Sequence, residues 1–486
     1  MKRAAEVVLA LDLGSSSTRS GFFDRRGRMV RGSEARREYS LEYTSDGGAE
    51  LSPVALRRAV RACLRDTMRH SRSQRRIIAV GGSAFWHGLL GLDRKDQPIT
   101  PVFSWADSRC AEDAEILRQE FNERKIHAET GCMLRASYWP AKLRWLLRTN
   151  RQLFRKVHRW VSPADWIFKK SFGAHGTSHS MASATGLYDL RMKSWHPELC
   201  RACRIAPEQL DILCESSDRC ATASELQNAR VFNPIGDGAA GNLGSGADSV
   251  ASVAINVGTS AAVRLLRREN DGKRPVPLGL FRYAVDQQRT VVGGAVSNAG
   301  NLHQWCLRQL QLGVTEAHAL NRSAAADDDL TILPFWVNER APTWPEKLRG
   351  AIVGLNQSTD AAAIFRAAIC ATFYRLADIL ELLEQTSGRA KQIIVSGGIL
   401  RSKPSVRLLA DSLGRDIYVS AEKEASLRGA AVYVLEKLGY AATPLPKPKV
   451  IRHNPILAAK HRTRRERQAA LESALSPSEG RASARP

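Results

Sequence analysis

The sequence contains no stretch of about 18 consecutive apolar residues, the length a membrane-crossing helix needs, so no helical span is expected. Its start, Met1-Lys2-Arg3-Ala4-Ala5-Glu6, leads straight into a strand-like stretch. It has neither a separate apolar region nor a small-residue cleavage site, so a secretory signal is not expected and a cytoplasmic location is. Acidic residues are scarce, with 49 Asp and Glu against 72 Lys and Arg, a formal charge of +23. The basic residues are spread along the chain and are not interleaved with aromatics, so the stacking platform of a nucleic-acid binder is missing. The surplus reads instead as an arginine-rich surface that favours anionic small molecules. Nine cysteines in 486 residues do not make a disulfide scaffold. Cys200, Cys203, Cys214 and Cys220 are clustered but lack paired zinc-ligand spacing, so they read as independent reduced thiols, with a structural zinc site as the alternative. There is no Gly-x-x-x-x-Gly-Lys-Ser/Thr element, which excludes a P-loop enzyme.

What is present suits two α/β domains and a tail, since 486 residues are too many for one ordinary core. Val7 to Leu13 is an apolar run interrupted by one Asp and ending in Gly14 and three serines, the pattern of a buried strand entering a polar turn. Thr18 to Phe23 predicts a second strand, Asp24 to Arg28 a hairpin turn, Pro53 to His70 a helix, and Ile77 to Val80 and Leu89 to Asp93 further strands. The residues from Pro234 to Gly246 are glycine-rich, and a new apolar strand then runs from Val250 to Val257 into Gly258-Thr259-Ser260 and Ala261 to Leu265. The chain thus starts twice in a similar way, which points to a duplicated domain with its boundary near Gly246. Ile393 to Val395 followed by Ser396-Gly397-Gly398 reads as one more strand and glycine turn. Beyond Gly439, alternating prolines and a basic stretch from Lys460 to Arg467 read as a linker, a short helix and a disordered terminus. The expected domains are therefore 1–246, 247–446 and a basic, disordered tail over 447–486.

Three turns of glycine and hydroxyl residues follow strands, at Asp12-Leu13-Gly14-Ser15-Ser16-Ser17, at Gly258-Thr259-Ser260 and at Gly397-Gly398. Such turns let backbone N–H groups reach phosphate oxygens without side-chain obstruction, so together they would grip a nucleotide. Gly236-Asp237-Gly238-Ala239-Ala240-Gly241 fits Gly-x-Gly-x-x-Gly in form only, because no clear strand precedes it and no acid follows at the expected distance. Asp237 is the residue of interest there. Flanking glycines would let a substrate hydroxyl approach its carboxylate, as a general base requires. An Asp capping the following helix is the equally open alternative.

Several short elements, in order over roughly residues 6 to 440, resemble the FGGY family of carbohydrate kinases. Ala10-Leu-Asp-Leu-Gly-Ser-Ser-Ser-Thr-Arg19 resembles the first phosphate motif, and Ser83-Ala-Phe-Trp-His87-Gly the sugar-contacting loop. Trp105-Ala-Asp-Ser-Arg109 and Ala182-Ser-Ala-Thr-Gly-Leu187 are similar to further family elements. Gly236-Asp237-Gly238 with Asn242-Leu-Gly244 resembles the catalytic aspartate segment, and Gly258-Thr259-Ser260 the second phosphate motif. Ser396-Gly-Gly398 through Arg428-Gly-Ala-Ala431 is similar to the adenosine region. Within the family, Val292-Gly-Gly-Ala-Val-Ser-Asn298-Ala-Gly300, Phe281-Arg-Tyr283 and Asn338-Glu-Arg-Ala-Pro342-Thr-Trp344 look most like gluconokinases.

The resemblance implies two actin-like (ribonuclease H-like) ATPase domains with an interdomain cleft, and transfer of the γ-phosphate of ATP to a sugar hydroxyl, gluconate to 6-phosphogluconate. It implies a base at Asp237 and Mg²⁺ held through waters at Asp12. The nucleotide would meet Gly14, Ser15, Ser16, Ser17, Arg19, Gly258, Thr259 and Gly300, with its adenosine at Gly397, Gly398 and Ser402. The sugar would meet Trp86, His87, Asp237 and Asn298, and Lys142 and Arg135 would either hold a sugar carboxylate or lie solvated. The partners implied are ATP and a sugar or sugar acid, with no membrane and no nucleic acid, and a homodimer is one assembly open to it. Serines stand in the first phosphate turn where threonines are usual, Asn338 replaces a glycine, and Trp86 replaces a smaller residue. Cys132 to Trp139 also departs from the gluconokinase pattern. The last two leave xylulose, another pentulose or a heptulose as alternative substrates. A catalytically weak ATP-binding regulator with a nucleic-acid-binding tail is the alternative from another class.

Overall fold

A computed structural model describes residues 4–69, 75–217, 226, 228–268, 275–321 and 330–476. The chain divides into two compact units. Unit 1 comprises Met1–Ser249, Leu265–Val292 and Glu424–Pro446, and unit 2 the segments Val250–Arg264, Gly293–Lys423 and Lys447–Pro486. The first crossing lies close to Gly246. Two stretches of the expected second domain, Leu265–Val292 and Glu424–Pro446, pack with unit 1.

Unit 1 is built on β1 (Ala5–Leu13), whose apolar run is buried on both faces of a mixed sheet. A tight turn joins it to antiparallel β2 (Ser17–Asp24), which continues to β3 (Ala35–Glu38). On its other side lies parallel β4 (Arg75–Ala84), with Asp12 beside Ser83. Beyond β4 come β6 (Arg230–Phe232), paired outward with β5 (Ser216–Ser217), and the short β7 (Ile235–Gly236), which places Gly236 beside Ala84. Helix α1 (Pro53–Arg69) covers β2 and β3 with the stripe Leu56, Val60, Cys63 and Thr67. The short α2 (His179–Ser183) sits against β7.

The glycine-rich stretch after Pro234 is a helix, α3 (Asp237–Ser245). Its small residues serve contact with α7 (Ala425–Lys437), which also covers β1 and β4. A Cβ on Gly244 would lie 1.7 Å from the Ala425 carbonyl oxygen, and one on Gly429 would lie 1.8 Å from that of Ala240. The two backbones therefore touch, and only glycine fits at these positions.

Unit 2 repeats the arrangement. Its central strand is β8 (Ser252–Val257), followed through a tight turn by β9 (Ala261–Arg268) and then β10 (Arg289–Val296). On the other side β11 (Gln392–Ser396) pairs parallel to β8, followed by β12 (Ile417–Val419) and antiparallel β13 (Lys449–Ile451). The chain passes between units inside β9 and β10. Helices α4 (Gly300–Gln309), α5 (Ala361–Ser387), α6 (Lys403–Leu413) and α8 (Pro455–Leu475) complete it.

The tail expected to be disordered is ordered from Lys449 to Leu475 as β13 and α8. Its polar composition concealed the docking side chains. His461 Nδ1 and the Tyr374 hydroxyl are 2.8 Å apart in the interior, Glu472 pairs with buried Arg375, and Gln468 Nε2 donates to the Ala371 carbonyl at 3.3 Å. Residues 477–486 lie outside the described residues.

Candidate active site

The expected site residues fall into two groups, one in each unit. In unit 1 the sheet gathers them at one edge. β1, β4 and β7 run parallel and end side by side at Leu13, Ala84 and Gly236. Residues just past the carboxyl ends of parallel strands face the crevice where α/β proteins bind ligands. Asp12, the loop Phe85-Trp86-His87 and Asp237 all lie there.

The first turn is closed by the Gly14 N–H donating to the Ser17 carbonyl at 2.9 Å. The Tyr39 hydroxyl donates to the Gly14 carbonyl at 2.5 Å, fixing the turn from outside the quoted motif. Ser16 is exposed and Ser15 partly so, whereas Ser17 is buried at the start of β2 and gives its carbonyl to the turn. Asp12 is buried, and Arg19, its neighbour across the hairpin, pairs with it at 3.2 Å. Burial raises the Asp12 carboxyl to about 6, and the charge of Asp237 adds to the rise, while Arg19 and Ser83 oppose it. At neutral pH Asp12 is therefore mostly ionised, a buried carboxylate sensitive to any cation brought near. Arg19 also pairs with Glu424 at 3.3 Å, a partner 405 positions away that the sequence did not reveal.

Asp237 is the first residue of α3, and Gly236, not Asp237, occupies the cap position. The capping alternative is thus not realised. The helix N-terminus favours the ionised carboxylate, and the Asp237 carbonyl accepts from the Ser426 hydroxyl at 3.4 Å. Trp86 lies against the preceding residue: a Cβ on Gly236 would stand 1.7 Å from the indole. The indole N–H donates to the Ser180 carbonyl at 3.2 Å, so Trp86 offers a wall and not a polar contact. His87 has left-handed backbone (φ 68°), and its Nδ1 is 2.7 Å from the Ala184 carbonyl. A carbonyl only accepts, so Nδ1 carries a proton and donates to it. Tyr283 packs edge-on against both rings, and its hydroxyl meets that of Tyr138 at 2.7 Å. Sequence reasoning gave these two tyrosines no role, since 145 positions separate them.

Lys142 is neither solvated nor open to a sugar carboxylate. It is buried and donates to the carbonyls of Ala136 and Ser137. Arg135 is paired with Glu123.

In unit 2 the second turn repeats the first, with Gly258 N–H donating to the Ser260 carbonyl at 2.9 Å. Helix α4 begins on it: Gly300 and Asn301 N–H groups donate to the carbonyls of Gly258 and Thr259 at 3.0 and 3.1 Å. A Cβ on Gly300 would stand 2.4 Å from the Gly258 oxygen. Gly397 has φ 95° and lies over Val257, and Ser402 caps α6 with its hydroxyl accepting from the Ser405 N–H at 3.4 Å. Asn298 does not fit a sugar contact. It is fully buried, donating to Glu339 and the Val337 carbonyl and accepting from the Val337 N–H. Its amide anchors the Val337–Glu339 segment.

Among the described residues no group of three or more His, Cys, Asp or Glu side chains is placed to hold a metal, and Cys220 lies outside them. No described helix is long and apolar enough to cross a membrane. The donor set at the first turn fits hydrated Mg²⁺, which keeps several waters and uses few carboxylates, one of which Asp12 supplies. The glycines of the second turn, with no Cβ in the way, fit a phosphate chain.

Comparison with known proteins supplies the remaining findings. The N-terminal domain of the FGGY family of carbohydrate kinases matches residues 7–235, and the C-terminal domain of that family matches residues 253–435. The chain is 28% identical over 460 residues to a gluconokinase of Bacillus subtilis (strain 168), covering 89% of this chain and 88% of that protein. It is 22% identical over 437 residues to a xylulose kinase of Staphylococcus xylosus, covering 87% and 89%. A crystal structure of gluconate kinase from Lactobacillus acidophilus superposes with a TM-score of 0.85 at 23% identity, over 98% of this chain and 99% of that one. At that identity the likeness shows the fold, α/β with two actin-like domains.

Proposed function

Since the chain belongs to the FGGY family of carbohydrate kinases, and so to the ATP-dependent kinases of sugars, we propose that it phosphorylates gluconate to 6-phosphogluconate with Asp237 as general base. The observation that carries the assignment of the base is the shared edge of β1, β4 and β7, which brings Asp12, Trp86-His87 and Asp237 to one place. A phosphoryl-transfer enzyme needs few covalent steps and depends on positioning and charge. Asp237, at the start of α3, is proposed to accept the proton of the attacking sugar hydroxyl. Trp86 and Tyr283 form an apolar wall for the sugar's carbon face, and His87 Nε2 is proposed to meet a sugar hydroxyl. In unit 1 Ser15 and Ser16 are proposed to offer hydroxyls to phosphate; in unit 2 the Thr259 hydroxyl is proposed for phosphate, and Gly397, Gly398 and Ser402 for adenosine. Asp12 would hold the water shell of Mg²⁺, and Arg19 favours the ionised form of that carboxylate. When bound, Mg²⁺ neutralises charge on the phosphate oxygens.

Gluconate is favoured by likeness to gluconokinases at 28% identity and by the surplus of positive charge, which suits a sugar acid. The test is Mg²⁺-dependent ADP release from ATP over a panel of sugars and sugar acids. Selective stimulation by gluconate is the expected result. Stimulation by xylulose instead would leave Asp237 in its role and overturn the substrate.

A further inference from the structure

A second cavity, of about 270 Å³, lies within unit 1 apart from the residues discussed so far. It is formed by the strand Arg159–Val161, the helix Pro163–Phe172 and the segment leading through Glu208 to Ile212. Its floor carries Asp165, which is 4% exposed. Ser162 and Thr177 lend hydroxyls to the carboxyl, yet Oδ1 makes no hydrogen bond among the described residues. A buried carboxyl oxygen without a donor costs free energy, and a native fold retains one where something else supplies the donor.

The surrounding charges indicate what that donor is. Arg159 pairs with both Asp96 and Asp211, and Lys169 pairs with Asp96 at 2.7 Å, so the two cations are matched by two anions. Asp165 remains unmatched, and Glu208 lies exposed at the rim. His175 is the other titratable group at the cavity and is also exposed. Burial, reinforced by the charge of Asp211, drives the Asp165 carboxyl well above the usual carboxylate range. Beside these charged groups the lining carries the buried apolar side chains Val161 and Leu210 and the indole of Trp166. A carboxylate beside apolar side chains and an aromatic ring suits a cation on an aliphatic stem.

We infer that this cavity is a binding site for a primary alkylammonium ligand, with the ammonium donating to Asp165 Oδ1 and the alkyl stem lying along Val161, Leu210 and Trp166. The site is independent of the kinase reading.

Isothermal titration calorimetry of the full chain with putrescine, and with butanediol as its uncharged counterpart, tests the inference. Saturable binding of putrescine is expected, with no binding of the diol. Asp165→Asn should weaken putrescine by roughly ten-fold or more, the value of a lost charge-assisted hydrogen bond. The wild-type comparison of putrescine with the diol needs no variant. Equal binding of amine and diol, or unchanged affinity in the variant, would overturn the assignment, as would the absence of saturable putrescine binding.

Discussion

Asp12 and Asp237 are two carboxylates at one sheet edge, yet their surroundings separate their roles. Asp12 is buried beside Arg19, a cation that holds it in place and opposes the rise that burial imposes on its carboxyl. Asp237 is half-buried on a helix start and open to an approaching hydroxyl. Asp237→Asn keeps the shape and removes the proposed base. The variant should bind nucleotide as the wild type does and lose about two to four orders of magnitude in turnover. Single-turnover rates together with nucleotide titration would check this, and undiminished turnover would assign the base elsewhere. Both aspartates stand out in the sequence because each sits in a short run of glycines and small residues, and the fold brings them to one sheet edge. The ion pair of Arg19 with Glu424 and the tyrosine pair behind Trp86 do not. They join residues that only the folded sheet brings together. Asn298 was misjudged for a related reason: an Asn in a small-residue segment looks the same whether its amide faces a ligand or a buried neighbour.

Two elements carry consequences for stability. The contact of α3 with α7 leaves no room at Gly244 or Gly429, so Gly429→Val should force the helices apart and cost at least about 1–3 kcal/mol. Chemical denaturation monitored by circular dichroism would measure it, and an unchanged midpoint would mean that the helices separate freely. The second element is α8, docked through His461. Burial, with Arg366 and Arg464 adding to it, lowers this imidazole to about 3. A histidine at 6.5 when unfolded and near 3 when folded binds its proton only in the unfolded state between those values. Stability is therefore present above pH 6.5 and falls as the pH drops, by about 1.4 kcal/mol per pH unit for one proton. Hydrogen exchange of 455–475 should accelerate between pH 7 and pH 5, after correction for intrinsic rates, and His461→Gln should flatten that dependence. Strands β1, β2, β4 and β8 and helix α1 were legible because apolar period and flanking turn residues agree. Helix α3 was hidden by its glycines, which lower helix propensity but are what its neighbour demands. The docking of α8 was hidden because it uses His461, Gln468 and Glu472, residues that composition alone assigns to a solvated surface.

For the whole molecule, the order of segments matters as much as the shape of either unit. Residues 1–249 contain β1 and β4 but not α7, the helix that covers both and holds α3. Gly81 of β4 lies so close to Val434 that a Cβ there would stand 2.2 Å from the valine methyl. A fragment ending at Ser249 therefore exposes an apolar strip that the intact chain conceals. It should give a broad or absent melting transition and bind a hydrophobic dye, and a sharp transition matching that of the full chain would contradict the argument. During synthesis the same gap exists in time. At 5–20 residues per second, the stretch from Ser249 to Lys437 takes on the order of ten seconds or more to follow. Through that interval the nascent sheet waits with its seam open, and that apolar strip stays exposed until α7 has been made.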